Sequence, residues 1–197
     1  DYDKARRLAL SARDSAITAR TVGDAVADAE GAIASARAAA GDLPLFVKLP
    51  PVVTSASGRD IVSLARAALD AGATGLTLSN TIPAMAIDVD TFEPELANGT
   101  GGLSGPAIHA VVVRLVHLVY TNVARERGAP IIGTGGVMNW RDAAEMILAG
   151  ATAVGVGTAS IADVRAPETI ARGLGKWAAS HRVNAVSDLT GKLKVRP

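Results

Sequence analysis

The chain has 197 residues, of which 49% are hydrophobic, and 20 Lys and Arg against 19 Asp and Glu leave a formal net charge of +1. This length is enough for one domain with a substantial core. A balanced charge without a basic run gives no reason to expect nucleic acid as a partner. The chain has no cysteine, which excludes disulfides, cysteine-bound iron–sulfur clusters and a Cys nucleophile within it. The three His residues are widely spaced, so no metal site is expected.

The length of the apolar segments indicates whether the chain is expected to cross a membrane. They are short and interrupted by Gly, Asp or Arg, so none is expected to approach the roughly 20 residues of a membrane span. The opening segment, DYDKARRLAL, is charged and lacks the apolar core of a signal peptide. We therefore expect a cytoplasmic protein without a membrane partner.

Residues 1–42 form a separate N-terminal segment in which we expect helices and no strand. The stretch TVGDAVADAEGAIASARAAAG places Val22, Val26 and Ile33 on one helical face. From residue 43 onward the pattern changes to short apolar runs that alternate with amphipathic stretches. The expected division is therefore 1–42 and 43–197.

The first two units after residue 42 each combine a strand with a helix. Residues 43–50, LPLFVKLP, are typical of a buried strand, and a helix follows that ends at Gly72. Residues 74–81 predict a second strand. After a long connection, a helix is expected over residues 106–127, with a Pro in its first turn and Gly128 at its end.

Two further units follow the same order. Residues 129–136 predict a third strand, and the next helix has Asn139 as its expected N-cap and Gly150 as its stop. Residues 151–160 predict a fourth strand, followed by a helix opened by Pro167. Apolar runs without strict alternation indicate strands covered on both faces, as in parallel sheets. Four consecutive units predict an α/β fold; a complete (β/α)8 barrel would need eight strands.

Polar and glycine-rich clusters lie where the predicted strands end. They are Ser79-Asn80-Thr81, GTGG at 133–136, GVGT at 155–158, and GGLSG at 101–105 before the long helix. The active sites of (β/α)8 barrels lie at this end of the strands, and a phosphate often binds after strands seven and eight. Glycine lets backbone N–H groups approach an anion. The pair GTGG and GVGT therefore predicts a phosphate-cofactor site; the alternative is that these glycines only form turns.

Lys48 stands inside an otherwise apolar strand, where an unpaired ammonium group is costly. It either points into a barrel mouth towards an anionic ligand or extends its ammonium group to solvent near the strand end. Asn80 and Thr81 can hydrogen-bond a planar polar ligand, or Asn80 is a plain turn residue.

The segments FVKLPP, LTLSNTIPAMAIDVDTFEPELANGTGGLSGPAI and PIIGTGGVMNWRDAAEMILAGATAVGVGTAS together resemble dihydroorotate dehydrogenases. The loop over residues 85–105 and the tail VNAVSDLTG are most similar to the NAD-linked B-type subclass. The resemblance covers about residues 40–191. It implies the C-terminal half of a (β/α)8 (TIM) barrel that binds FMN, an enzyme of pyrimidine biosynthesis that oxidises dihydroorotate to orotate, and an electron-transfer partner subunit that carries an iron–sulfur cluster and FAD.

The resemblance also assigns site residues. Those assigned to FMN are Lys48, Ser79, Gly105, Gly135, Gly136, Gly157 and Thr158. The pyrimidine substrate would be bound by Asn80 and Thr81. The family's Cys or Ser base, near an NxSxPN segment, has no counterpart in this chain, and Ser55 and Ser57 do not match its motif. No catalytic base is therefore assigned.

Two alternatives stay open. The first is a flavin enzyme similar to dihydropyrimidine dehydrogenase, acting on uracil or thymine. The second is a non-catalytic half-barrel that binds FMN or phosphate. Half a barrel exposes two strand edges and an apolar interior, so we also expect association with another copy of the chain or with the missing half.

Overall fold

The computed structural model describes residues 22–51 and 60–194, and for residues 22–28 the backbone alone. Within these ranges the helices are α1 (Val22–Ala40), α2 (Ile61–Asp70), α3 (His109–Val119), α4 (Arg125–Arg127), α5 (Trp140–Ala149), α6 (Thr158–Ala162) and α7 (Ala166–Ser180). The strands are β1 (Phe46–Leu49), β2 (Gly75–Leu78), β3 (Ile82–Ala84), β4 (Ile87–Asp88), β5 (Glu93–Pro94), β6 (Gly101–Leu103), β7 (Ile131–Thr134) and β8 (Ala153–Gly155). Short 3-10 turns lie at Pro106–Ile108 and Val186–Leu189.

Four strands form one sheet in the order β1-β2-β7-β8, and every neighbouring pair is parallel. The strands that the sequence predicts are these four, each shorter than expected. A parallel sheet whose strands are connected through helices is an α/β fold, so the α/β part of the predicted fold class is confirmed.

Capping residues and glycines end the helices at most of the predicted positions. The side chain of Asn139 accepts hydrogen bonds from the backbone N–H groups of Arg141 and Asp142 at the start of α5, and Gly150 ends that helix. Gly128 follows α4 in the left-handed conformation, with φ of 63°. The expected cap at Asn139 and the expected stops at Gly128 and Gly150 are therefore confirmed. The sequence pattern did not predict the capping box that Asp60 and Ser63 form at the start of α2.

One face of the sheet carries the core. Helices α1, α2, α3, α5 and α7 contact one another in chain order, and α2 and α3 pack on the sheet. Leu76, Leu78 and Ile131 are fully buried beneath them. Because successive strand residues point to opposite faces, Phe46 and Lys48 lie on the other face, where Phe46 is 40% exposed. The expectation of strands covered on both faces is wrong for the described part of the chain, in which no element packs over this second face.

The long helical stretch differs from its prediction in two ways. Residues Pro106–Arg127 are long and apolar enough to cross a membrane by length and composition, whereas no segment was expected to reach that length. Their apolar face packs in the core, where Val112, Leu115 and Val116 are fully buried. The stretch therefore serves as a core helix in this fold. It also contains a π-helical turn at Tyr120–Ala124, which the sequence pattern does not predict.

Two other boundaries were predicted wrongly. Residues 158–160 were expected in the fourth strand but open α6, because β8 already ends at Gly155. In the long connection after β2, where the sequence predicted no strand, the chain folds into two nested antiparallel pairs. In these pairs β3 joins β6 and β4 joins β5.

Candidate functional site

A cleft of about 140 Å³ lies at the carboxyl ends of the four parallel strands. It is lined by Lys48, Ser79, Asn80, Thr81, Ser104, Gly105, Ile108, Thr134, Gly135, Gly136, Val137, Gly157 and Thr158. All the residues assigned to FMN and to the pyrimidine are among them, so the fold brings together segments that are far apart in the chain. A larger groove of about 670 Å³ lies between α1 and α2, but none of the predicted residues lines it.

The segment after β2 forms one wall of the cleft. Ser79 is 3% exposed, its N–H donates to Thr134 O at 3.0 Å, and its hydroxyl donates to Asn80 O at 3.0 Å. The peptide bond between Leu78 and Ser79 is cis. Asn80 N–H donates to Leu49 O, and Asn80 Oδ1 accepts from Thr81 N–H at 2.9 Å. Backbone contacts to β1 and β7 therefore fix this segment, and the Asn80 Nδ2 donors stay available on an exposed side chain.

The loop after β7 approaches the turn before α3 very closely. Gly136 has φ of 68°, and a Cβ atom added to it would lie 2.7 Å from Gly105 O. A Cβ atom added to Gly135 would lie 2.7 Å from Val112 Cγ2. At position 136 only glycine can adopt this left-handed backbone conformation and at the same time fit so close to Gly105 O. The two glycine loops are thus packed against each other at the cleft.

The loop after β8 completes the glycine-lined side. The Thr158 hydroxyl donates to Ser104 Oγ at 3.1 Å, which links this loop to the turn before α3. Within residues 22–51 and 60–194, the backbone N–H groups of Gly135, Gly136, Gly157 and Thr158 have no hydrogen-bond acceptor. Unpaired N–H groups on a glycine-rich loop are the donor set that suits an anion such as a phosphate.

Lys48 reaches the cleft from the uncovered face of the sheet. It pairs in register with Thr77 of β2, and Thr77 pairs with Ile132 of β7. Lys48 is exposed, which agrees with an ammonium group at the cleft mouth and does not require a buried partner. Among the lining residues that the structure describes, it is the one side chain that carries a charge.

Four lining residues were not assigned from the sequence. Ser104 and Thr134 lie inside the glycine clusters themselves, so their positions in GGLSG and GTGG could have identified them. Ile108 and Val137 are buried apolar residues, and nothing in their local sequence distinguishes them from core positions. Ser55 and Ser57, which do not match the family base, lie outside the described residues.

The other ionisable side chains that the structure describes lie outside the cleft. Asp88, at the tip of the nested pairs, accepts hydrogen bonds from the backbone N–H groups of Asp90 and Thr91 at 2.9 and 3.2 Å, and these bonds lower its pKa below the usual value of 3.8. In the part of the chain that the structure covers, no group of three or more His, Cys, Asp or Glu residues could hold a metal ion.

Comparison with known proteins gives one family. The family described as "Dihydroorotate dehydrogenase" matches residues 9–177. The catalytic subunit of dihydroorotate dehydrogenase B (NAD(+)) from Citrifermentans bemidjiense is 49% identical over 152 residues, which are 77% of this chain and 47% of that protein. The subunit of the same name from Pelobacter propionicus is 48% identical over 164 residues, 83% of this chain and 51% of that protein.

A relative with lower sequence identity gives the same result. The subunit of the same name from Streptococcus pneumoniae strain R6 is 43% identical over 162 residues, 82% of this chain and 49% of that protein. The chain therefore spans about half the length of the curated relatives that it matches. With a family match over most of its length and identity near one half, the chain belongs to the dihydroorotate dehydrogenase family.

Proposed function

We propose that this chain supplies the C-terminal half of an FMN-binding (β/α)8 barrel that, in the whole protein, oxidises dihydroorotate to orotate in pyrimidine biosynthesis. The strand order supports the barrel. Open doubly wound sheets reverse their strand order at a switch point, whereas β1, β2, β7 and β8 follow one another in chain order. Sequential parallel strands with an outer layer of helices are the arrangement of a barrel wall.

The uncovered face of the sheet is the observation that carries the proposal. Lys48, Thr77, Ile132 and Ala153 are paired in one row across the four strands, so their side chains share that face. In a closed barrel such rows fill the interior together with residues of the other strands. Here all four are exposed or partly exposed. The remaining strands of the barrel would come from sequence outside this chain.

The cleft fits part of a flavin nucleotide. Sites for small ligands commonly measure about 300–1,000 Å³, so a cleft of about 140 Å³ would hold one portion of FMN, with the other half of the barrel enclosing the rest. Gly135, Gly136, Gly157 and Thr158 would bind the phosphate through their N–H groups, and Thr158 would also bind it through its hydroxyl. Ser79, on the wall after β2, and Gly105, next to Gly136, would also contact the cofactor.

When bound, FMN would supply the hydride acceptor of the reaction. Lys48 would place positive charge beside the flavin ring, on the side where reduction adds negative charge. Asn80 and Thr81 would orient the pyrimidine by hydrogen bonds to its polar edge. The base that removes the substrate proton would come from sequence outside this chain, and so would the strands that close the pocket.

The names of the relatives support a partner protein for electron transfer. The relatives are named as catalytic subunits of an NAD-linked enzyme. We infer that electrons leave the flavin through a separate electron-transfer subunit. A second candidate function is FMN binding without catalysis by the half-barrel alone. The cleft favours it, because none of the residues that line it in the structure is a carboxylate, His or Cys able to act as a base.

The phosphate assignment is tested by comparing FMN with riboflavin, which lacks the phosphate. Flavin-fluorescence titration gives both dissociation constants for the wild-type chain and for Thr158→Val. A hydrogen bond to a charged group is worth about 1.5–3 kcal/mol, so the variant should bind FMN roughly tenfold or more weakly and riboflavin nearly unchanged. Thr169→Val, at an exposed position of α7, is the matched control. Equal losses for both flavins would contradict the assignment.

A further inference from the structure

His109, the first residue of α3, lies between the two glycine loops of the cleft without lining it. Its side chain is 13% exposed, and its Nδ1 atom is 3.1 Å from Gly135 O. A carbonyl oxygen can only accept a hydrogen bond, so Nδ1 carries the proton and donates. The residues are 26 positions apart in the chain, and this bond therefore links α3 to the loop after β7.

Packing reinforces the same contact. A Cβ atom added to Gly136 would lie 2.7 Å from His109 Cβ and 2.9 Å from His109 Cα. The backbone of Gly136 therefore rests directly on the base of the histidine side chain. His109 touches the loop in two places, through its ring at Gly135 and through its Cα and Cβ at Gly136.

The second ring nitrogen has a weaker contact. Nε2 is buried and, among the described residues, has no hydrogen-bond partner. Glu145 Oε2 on α5 lies 3.3 Å away, an ion-pair distance without the alignment of a hydrogen bond. Because Glu145 is 58% exposed, water screens this contact. The Gly135 bond is thus the directional interaction that orients the ring.

We propose that His109 is a positioning residue that turns the Gly136 N–H towards the bound anion. The peptide unit is planar and trans, so its C=O and N–H point in opposite directions. Holding Gly135 O against His109 therefore directs the N–H of Gly136 away from α3, and that N–H has no acceptor among the described residues. The inference rests on the proposed function, which places the FMN phosphate at this loop.

Three substitutions separate the two ring nitrogens. His109→Asn keeps a donor near the position of Nδ1, His109→Gln moves the amide to the position of Nε2, and His109→Leu removes both. We expect the FMN affinity of His109→Asn to lie within about threefold of the wild-type affinity. The FMN affinities of His109→Gln and His109→Leu should be roughly tenfold lower, because each of these variants lacks the hydrogen bond to Gly135 O. Riboflavin affinity should change little in all three. Thermal unfolding of each variant shows that it is folded.

Two results would overturn the inference. The first is an equal FMN affinity in His109→Asn and His109→Leu. The second is a loss in Glu145→Gln as large as in His109→Leu, which would assign the effect to the ion-pair contact. A wild-type chain that binds neither flavin would instead contradict FMN binding by this half of the barrel on its own. In that case the residual dipolar coupling of the Gly136 N–H bond, which reports its orientation, decides the inference. The coupling should change in His109→Leu and His109→Gln but not in His109→Asn, and an unchanged coupling in all three variants would refute it.

Discussion

At the scale of single residues, the cleft depends on backbone atoms more than on side chains. Gly136 shows this most clearly, since it combines a φ of 68° with a contact to Gly105 O. The anion donors are N–H groups whose directions depend on such backbone conformations. Changes that move the backbone should therefore affect ligand binding more than most changes of exposed side chains nearby.

Gly136→Ala tests this dependence. A side chain in the left-handed region costs about 1–2 kcal/mol, and the added methyl group would also displace the Gly105 loop. We expect a lower unfolding temperature and loss of measurable FMN binding, recorded by thermal unfolding and fluorescence titration. Gly175→Ala is the matched control, because nothing lies within 4 Å of its position in α7. It should stabilise the chain by about 0.5–1 kcal/mol. FMN affinity unchanged in Gly136→Ala would contradict this account.

Lys48 is the residue whose charge is assigned to the flavin ring. Lys48→Met keeps most of the side-chain length and removes the charge. We expect it to lower the reduction potential of bound flavin, because the ammonium group favours the negatively charged reduced form. Spectroelectrochemical titration measures that potential. Lys176→Met, on the exposed part of α7, should leave it unchanged, and an unchanged potential in Lys48→Met would refute the assignment.

At the scale of elements, α5 is held at its start by reciprocal caps. Asn139 accepts from the N–H groups of Arg141 and Asp142, and Asp142 Oδ2 accepts from the N–H groups of Met138 and Asn139. Removing an N-cap side chain costs about 1 kcal/mol. In a chain of this length that corresponds to roughly 2–4 °C in Tm.

Asn139→Ala should therefore lower the unfolding temperature by a few degrees. Calorimetry or circular dichroism measures the shift, and Asn184→Ala, in an exposed loop, is the control. Because the cap lies three residues after Gly136, FMN affinity should fall only slightly. A Tm equal to that of the control would show that the cap does not stabilise α5.

The tip of the nested pairs should respond to pH. Two backbone N–H groups favour the ionised form of Asp88 and hold its pKa below 3.8. Because the folded pKa is lower than the unfolded pKa, the contribution of Asp88 is present at neutral pH and is lost as the pH falls through the folded value. An NMR titration of the Asp88 carboxyl carbon measures this directly. A pKa at or above 3.8 would contradict the observed bonds.

The elements also show what the sequence could predict. Asn139, Gly128 and Gly150 act through bonds to their own helix, so local pattern was sufficient. The glycine loops were expected to meet because parallel strands end at one edge of a sheet. The pairing of β3 with β6 was missed because it depends on residues about 20 positions apart in a segment without alternating pattern. His109 was missed because its partner, Gly135, is brought near only by the fold.

At the scale of the whole molecule, the described part of the chain has two unpaired strand edges, on β1 and on β8. Unpaired edges and exposed apolar residues favour association. Phe46 is 40% exposed on the uncovered face of the sheet. We expect sedimentation to show a dimer or a larger species.

Phe46→Glu should weaken that association, since it places a charge on the uncovered face. Val111→Glu is the control, because Val111 is 36% exposed on the helical side. A wild-type chain that sediments as a single monomeric species would refute the proposed association.

The central claim is that half of the barrel carries the phosphate-binding part of an FMN site. The most direct measurement is the visible spectrum of the chain after purification with FMN and removal of free ligand. The account predicts a yellow protein that retains FMN and that releases it on exchange with excess phosphate. A colourless protein from the same procedure would contradict it, and would assign FMN binding to the complete barrel alone.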